Sequence, residues 1–286
     1  MDLEAGRAFL RSTAHPEGGW GYGPGRDAQV EPTSSVLIAL AGHPPAAEEV
    51  ALGAAWLGSA RHPDGGWGIH RDDPESGWAT AWAVQALAVT GGAGEAVGRG
   101  RAWLAAVRPA TVDLDDVGAL TAVLGIDPAL RGWPWRPDEA SWVEPTAHAL
   151  LAFEDDDPAI RERAREAVRY LDDRRSAGGG GNFGNPYMFG RPFPARAHPT
   201  AVAVLALARW AHASVRTEDL EALRACMRAE GGAGALAWGL VALAAFQQDD
   251  LESRARLDGL QGAGGGWEDD PHVTALALRA LSGGPA

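Results

Sequence analysis

The sequence contains no lysine, a single cysteine and no apolar stretch long enough to cross a bilayer. Its 25 basic residues are therefore all arginine, and with 38 acidic residues they leave a formal net charge of −13. A nucleic acid could meet this acidic protein only through a local basic patch, and the sequence shows none. Cys226 has no partner for an intrachain disulfide and belongs to no cysteine cluster, so we expect neither redox chemistry nor a structural zinc site.

Two stretches of the sequence are candidates for a membrane segment or a signal peptide, and neither qualifies. The longest uncharged run within a helical pattern, Gly234 to Phe246, is too short to span a bilayer. The stretch from Met1 to Leu10 carries three charges instead of the apolar core of a signal peptide. We therefore expect a cytoplasmic protein with no integral membrane segment and no nucleic-acid partner.

Glycine and tryptophan are abundant, at 38 and 12 residues, and they recur together. An amphipathic helix, a glycine-rich turn with an aromatic residue and a more apolar helix follow one another at intervals of roughly 30 to 50 residues. This order indicates an array of helical hairpins. The clearest turns are Gly18 to Gly21, Gly65 to Gly68 and Gly264 to Trp267.

The two helices of each hairpin differ in composition. Pro158 to Arg174 has an apolar stripe opposite a charged face, as an outer helix does. Thr200 to Ala211, Ala235 to Phe246 and Val273 to Leu281 are almost wholly apolar, which is typical of helices covered on all sides. The pattern predicts an all-α fold, an α/α-barrel (toroid) of about six hairpins, formed by residues 1–286 as a single domain.

The inner helices of such a barrel run parallel, so their first residues gather at one mouth of the ring. Most of these starts have ordinary capping chemistry, with proline at the first position and an acid near the positive end of the helix dipole. Because their side chains point toward a common space, we predict the functional site at this mouth.

Asp113, Asp115 and Asp116 exceed what capping requires. One N-cap acceptor stabilises a helix by about 0.5–2 kcal/mol, and further carboxylates repel each other. Crowding and burial would raise the pKa of one aspartate and keep it protonated at neutral pH, which makes it a candidate Brønsted acid. The alternative is simple capping, since aspartate pairs also occur at Asp72 and Asp249 with their neighbours.

Glu144 and His148 are four residues apart and share one face of the next predicted inner helix. His148 is the only ionisable residue in the apolar run from Ala147 to Phe153, so its imidazole needs a partner. The alternative is a core histidine satisfied by its neighbours.

Three tryptophans lie within predicted inner helices and could line the cavity: Trp82, Trp210 and Trp238. Aromatic faces stabilise cations by about 0.5–2 kcal/mol, which suits carbocation chemistry beside an acid. Each of them could also simply fill space.

The stretch from Ala177 to Ala197 is long for a connection without helical pattern and could cover the cavity as a lid. It carries the candidate substrate-binding residues Tyr187, Phe189, Arg191 and Arg196, in addition to Phe193. The two guanidinium groups could bind a diphosphate or carboxylate. A loop packed on the barrel end, with exposed arginines, is the alternative.

Two motifs together carry a family resemblance. Asp113-Leu114-Asp115-Asp116 fits the Asp-x-Asp-Asp motif, and Glu144-Pro145-Thr146-Ala147-His148 follows it with glutamate where hopene cyclases have aspartate. The chain thus resembles a single-barrel member of the squalene-hopene cyclase and class II terpene cyclase superfamily. The resemblance implies that Asp115 protonates an alkene or epoxide, that Asp113 and Asp116 support it, and that His148 and Glu144 orient it. Gln261 to Trp267 resembles the family's structural Gln-Trp repeat.

The chain also departs from related families. Full class II cyclases of this type combine at least two barrels, so a second subunit or a second copy of this chain is left open as a partner. The zinc site of prenyltransferase β-subunits needs an aspartate two residues before a cysteine, where Arg224 precedes Cys226. We therefore expect no metal and no cofactor, with Mg²⁺ needed only if the substrate is a diphosphate.

The sequence thus predicts a protonation-initiated cyclase of a polyisoprenoid or similar unsaturated chain, a small hydrophobic substrate, with Asp115 as the general acid. One alternative is another acid-catalysed cyclisation or rearrangement in a biosynthetic pathway. The other is a non-catalytic helical-repeat binding module whose aspartates only cap helices.

Overall fold

The computed structural model describes residues 2–91, 94–110, 117–154, 158–188 and 190–283. Their thirteen α-helices are α1 (Leu3–Ser12), α2 (Val30–Leu40), α3 (Ala47–Ser59), α4 (Ala79–Val89), α5 (Gly94–Ala106), α6 (Val117–Leu124), α7 (Val143–Ala152), α8 (Pro158–Asp173), α9 (Ala197–Ala211), α10 (Thr217–Glu230), α11 (Ala233–Ala244), α12 (Leu251–Gly259) and α13 (Pro271–Ser282). Two short antiparallel pairs join β1 (Trp133–Pro134) to β2 (Ser141–Trp142) and β3 (Tyr187–Met188) to β4 (Arg191–Pro192).

Six helices form a closed cycle of contacts. α2 packs against α4, α4 against α7, α7 against α9, α9 against α11, α11 against α13, and α13 returns to α2. We call these six the ring helices. The predicted all-α fold is confirmed, and the contacts among the described residues are those of a ring of helical hairpins.

The ring helices are buried because other helices surround them. Nine of the ten residues of α7 are buried. α1, α3, α5, α8, α10 and α12 each pack on the outside of one or two ring helices. The difference in composition between the two helices of a hairpin therefore follows from their positions, as the sequence predicted.

α6 is a correction to the sequence analysis, which expected an inner helix to follow Asp116. α4 packs directly against α7, so the ring closes without α6. The expectation that this helix belongs to the inner ring is wrong.

A repeated pair of hydrogen bonds fixes each turn to its hairpin. The backbone amide of the turn tryptophan donates to a threonine hydroxyl in the first turn of the ring helix, and its indole N–H donates to a carbonyl of an outer helix. The amide bonds, of 2.8–2.9 Å, are Trp20 to Thr33, Trp67 to Thr80, Trp133 to Thr146 and Trp267 to Thr274. The indole bonds reach Leu10, Leu57, Leu104 and Leu257. The recurring threonines thus hold the starts of the ring helices in place.

Gln261 joins the last hairpin to the first. Its Oε1 accepts the Asp2 amide at 3.0 Å, and its Nε2 donates to the Asp2 carbonyl at 2.8 Å. Asp2 is also the N-cap of α1, where its side chain accepts the Ala5 amide. The Gln-Trp signature therefore has the structural role that the resemblance implied.

Among the described residues, no helix combines the length and the apolar character that crossing a membrane requires.

Candidate functional site

The first turns of the ring helices meet at one end of the ring, which we call the start end. Glu144 from α7 and His198 from α9 lie there, with Oε2 and Nδ1 3.8 Å apart. Each of Glu144, His148 and His198 offers one ligand-type atom, and these three atoms lie within 4.8 Å of one another. Glu144 and His148, predicted to share one helix face, thus lie in one cluster, and His198 joins it from the neighbouring helix.

Three aromatic or imidazole rings close the middle of the ring. His148 lies 4.6 Å from Trp82 and 5.8 Å from Trp238, measured between ring centroids, and the two tryptophans lie 6.0 Å apart. Their exposed fractions are 1% for Trp82, 1% for His148 and 4% for Trp238. We call this layer the floor, because it separates the start end from the opposite end.

Burial keeps the polar groups of this cluster uncharged at neutral pH. Burial, and then the nearby carboxylate of Glu31, raise the pKa of Glu144 to about 8. Burial first and the neighbouring His198 second lower the pKa of His148 well below its ordinary value. Burial also lowers the pKa of His198 to about 3. The structure thus holds a neutral carboxylic acid beside two neutral imidazoles.

His148 is short of hydrogen-bond partners. Among the described residues, neither of its ring nitrogens has one, and the Trp82 indole nitrogen and His198 Nε2 are in the same situation. Buried polar groups without partners are costly, and in native proteins they mark a functional group or a missing ligand. The predicted alternative of a satisfied core histidine is therefore wrong for the described part of the chain.

Three further residues of the start end were not among the predicted site residues. The Tyr22 hydroxyl donates to Glu31, and His272 Nδ1 lies 3.0 Å from the hydroxyl of Ser35. The ring of His272 lies 5.7 Å from that of Trp82. Glu31 and His272 lie in the first turns of α2 and α13, among the helix starts whose chemistry in most cases is ordinary capping. Asp270 has such a capping role, since its side chain accepts the amides that open α13.

A cavity of about 590 Å³ opens at the other end of the ring, where the ring helices finish. It reaches the floor, since Trp82, His148 and Trp238 line it. Its walls come from the later turns of the helices, and arginines border it. The functional site was predicted at the start end, and this cavity lies at the opposite end of the ring. We call this opposite end the finish end.

The remaining predicted residues divide into three groups. Asp113, Asp115, Asp116 and Phe189 lie outside the described residues. Trp82 and Trp238 lie in the ring as predicted, whereas Trp210 does not line this cavity: its indole donates to the Leu150 carbonyl, and it borders an outer groove with residues of α8.

The 177–197 segment stands at the start end. Arg191 is exposed, and Arg196 pairs with Glu230 at 3.3 Å. Phe193, 42% exposed, and Arg196 border a second cavity of about 520 Å³ together with Trp142, whereas Tyr187 is half-buried in the β3–β4 hairpin. None of these four residues lines the cavity above the floor.

Comparison with known proteins identifies the fold. No protein-family model matches the chain, and no curated protein matches it. The type II terpene cyclase MstE from Scytonema, in complex with geranylgeranyl dihydroxybenzoate, matches with a TM-score of 0.65 at 16% identity, over 98% of this chain and 95% of that chain. A protein from Actinoplanes matches with a TM-score of 0.63 at 17% identity, over 98% of each chain.

The same fold also occurs in a different setting. Alpha-2-macroglobulin from Escherichia coli matches with a TM-score of 0.56 at 16% identity, over 98% of this chain but only 17% of that chain. The chain therefore has the fold of type II terpene cyclases, as the resemblance implied, and its function has to be argued from its own residues.

Proposed function

We propose that the protein is an enzyme, a protonation-initiated cyclase of class II type that acts on a polyisoprenoid or similarly unsaturated chain. The observation that carries the proposal is the neutral Glu144 carboxyl beside His148, whose ring lies in the floor with Trp82 and Trp238. A protonated acid next to aromatic faces in a water-poor ring is what alkene protonation requires. The fold shared with type II terpene cyclases agrees with this chemistry.

Asp115 is assigned as the general acid, with Asp113 and Asp116 supporting it. The last described residue before these acids is Ala110, whose amide donates to the Glu139 carbonyl at 2.8 Å. Glu139 precedes the start of α7 by four residues, so Ala110 lies at the end of the ring that holds Glu144. In this assignment Glu144 and His148 orient the Asp115 carboxyl.

The reaction balances without a cofactor. A proton adds to one carbon of an alkene, the adjacent cation is attacked by another double bond, and a proton is finally lost, so the product is an isomer of the substrate. Trp82 and Trp238 would stabilise the intermediate cations through their ring faces. MstE, whose bound substrate is a prenylated aromatic acid, supports this substrate class. Mg²⁺ enters only if the substrate is a diphosphate.

The test is turnover of prenyl substrates by matched variants. The purified protein is incubated with geranylgeraniol, geranylgeranyl diphosphate and geranylgeranyl dihydroxybenzoate, and products are analysed by mass spectrometry. Asp115→Asn should lower the rate by about 10³-fold, because a general acid contributes about 10²–10⁴-fold. Asp249→Asn, at an exposed carboxylate that pairs with Arg254, is the control and should leave the rate unchanged. Absence of any isomeric product from the parent would contradict the proposal, and an active Asp115→Asn would contradict the assignment of the acid.

One observation favours a second candidate function. Glu144, His148 and His198 form a two-histidine, one-carboxylate set, and the neutral imidazole is the form that binds metal ions. The second candidate is therefore a metal-dependent enzyme with a divalent cation at this cluster. Metal analysis of the purified protein separates the two: one equivalent of zinc or iron, lost in His198→Ala, would support the metal enzyme, whereas metal-free protein that turns over prenyl substrates would exclude it.

A further inference from the structure

The finish end contains a charge that the proposed mechanism does not use. The ninth residue of each ring helix is aliphatic in five helices, namely Ile38, Leu87, Leu151, Leu205 and Val241. In the sixth helix, α13, the same position is Arg279. Of these residues Ile38, Leu151, Leu205 and Arg279 line the cavity above the floor. A cation thus replaces an aliphatic side chain in an otherwise apolar layer.

The other arginines of this cavity are accounted for. Arg7 pairs with Glu4, and Arg101 pairs with Glu154 at 2.8 Å. Arg209 is exposed at the rim and donates to the Leu151 carbonyl. Each of these three side chains therefore has an ion-pair partner or a carbonyl acceptor.

Arg279 differs from them in having no such partner. Within the described residues its guanidinium makes no hydrogen bond and has no carboxylate within 4.0 Å. Burial lowers its pKa to about 10, so the group stays charged at neutral pH. The side chain is half-buried at the edge of the cavity, and a cation without a counter-charge in an apolar layer attracts an anion. The arrangement is therefore complementary to an anion that enters through the finish end.

The cavity is also suited to an apolar group. Its volume of about 590 Å³ lies in the range of small-molecule sites, roughly 300–1,000 Å³. Ile38, Leu151 and Leu205 form an aliphatic wall at the level of Arg279, and Trp82 and Trp238 lie below them in the floor. A ligand bound in this cavity would contact one cation, Arg279, and otherwise apolar side chains.

We propose that the cavity at the finish end binds an amphipathic molecule with one anionic head group, a carboxylate or a diphosphate, which pairs with Arg279 while its apolar part contacts Trp82 and Trp238. This proposal rests on the proposed function in one respect only, namely that the apolar part of the ligand is a polyisoprenoid chain. The guanidinium fork matches either anion with paired hydrogen bonds. Arg279 is thus a specificity-determining residue for an acidic or diphosphorylated substrate.

The test measures binding without turnover, by isothermal titration calorimetry with fully saturated analogues of the geranylgeranyl chain. Such analogues have no alkene to protonate, so the result does not depend on cyclase activity. The probes are the saturated carboxylic acid, its diphosphate counterpart and its neutral alcohol, with inorganic pyrophosphate as a head group alone. The parent should bind one or both anionic probes at least about tenfold more tightly than the alcohol, and the ranking of acid and diphosphate identifies the head group.

Arg279→Gln should remove most of the preference for the anionic probes over the alcohol, because the ion pair with Arg279 is the interaction that produces it. The affinity for the alcohol should stay within about threefold of the parent. Arg279→Lys should keep part of it, because lysine retains the charge without the fork. Arg228→Gln, at an exposed arginine of the outer helix α10, is the matched control and should bind like the parent, whereas Arg191→Gln tests the alternative head-group site at the start end. Equal binding of acid, diphosphate and alcohol by the parent would overturn the proposal. So would loss of the preference in Arg191→Gln instead of Arg279→Gln, or pyrophosphate binding as tightly as the amphipathic probes.

Discussion

The two ends of the ring are built from the same six helices but hold opposite kinds of polar groups. At the start end, Glu144, His148 and His198 are buried, close together and uncharged at neutral pH. At the finish end, arginines border an open cavity, and Arg279 is charged. The two ends also differ in packing: the threonine–tryptophan hydrogen bonds fix each turn to the start of its ring helix, whereas at the finish end the bond from the Trp210 indole to the Leu150 carbonyl joins α9 to α7.

The two ends therefore suit two different functions, proton transfer and anion binding. The start end favours proton chemistry, because burial there stabilises neutral acids. The finish end favours recognition of an anion, because its cation lacks a counter-charge. The floor of Trp82, His148 and Trp238 lies between them and contacts both.

The largest expected effect comes from breaking the floor. Trp82→Ala should lower the free energy of unfolding by about 3–5 kcal/mol, the usual cost of deleting a fully buried large aromatic side chain. Trp210→Ala, at a half-buried tryptophan outside the floor, should cost clearly less. Urea denaturation of both variants measures the difference in the free energy of unfolding. An equal or larger decrease for Trp210→Ala would show that the floor does not contribute more to stability than a tryptophan outside it.

The second prediction concerns the protonation of Glu144. The folded protein keeps a proton on Glu144 up to a pH of about 8, whereas the unfolded chain releases it near its ordinary pKa of about 4.3, so stability falls as the pH rises between these values. Glu144→Gln removes this loss. The variant should therefore gain stability relative to the parent across this window, reaching about 5 kcal/mol above a pH of about 8, since each pKa unit corresponds to about 1.4 kcal/mol. Denaturation at several pH values checks it, and parallel curves for parent and variant would mean that Glu144 ionises normally.

The third prediction compares the two ends of one helix. Thr80→Val at the start of α4 removes the acceptor of the buried Trp67 amide and should cost about 1–3 kcal/mol. Thr90→Val, at the other end of α4, removes only the bonds from a half-buried hydroxyl to the Ala86 and Leu87 carbonyls and should cost less. Thermal or chemical denaturation gives both values. If Thr90→Val were the more damaging change, the tighter construction of the start end would be refuted.

The smallest expected effect has the opposite sign. Arg279→Met removes a charge without a partner and should raise the free energy of unfolding by about 1 kcal/mol in the absence of ligand, as replacement of buried charges by apolar groups often does. Arg101→Met, which breaks the ion pair with Glu154 and the bond to the Ala152 carbonyl, should lower it. A loss of stability in Arg279→Met comparable to that of Arg101→Met would indicate that Arg279 is compensated in the folded protein.

Much of the fold could be predicted from the sequence because it is local and periodic. The glycine-tryptophan turns and the contrast between amphipathic and apolar helices identify hairpins and their order, and the i, i+4 spacing identifies the Glu144 and His148 face. The approach of His198 could not be predicted, because it depends on which ring helices are neighbours. For the same reason α6 was wrongly placed in the ring.

The finish end was missed for a different reason. Helix starts carry conspicuous polar signatures, whereas helix ends here carry few, so the prediction of a site at the helix starts did not include this cavity. The signal was nevertheless present: Arg279 is the only charged residue in the apolar run from Val273 to Leu281, the same criterion that identified His148. The Glu31 and His272 contacts were hidden because their residues have an adequate explanation as helix starts.

The most direct test of the account is cyclisation in heavy water. A protonation-initiated reaction takes its first proton from an acid that exchanges with solvent and returns a different proton at the end. The account therefore predicts a cyclic isomer of the prenyl substrate that carries one deuterium from D₂O, formed by the parent and lost in Asp115→Asn. A cyclic product without solvent deuterium, or a product formed with release of diphosphate, would contradict it.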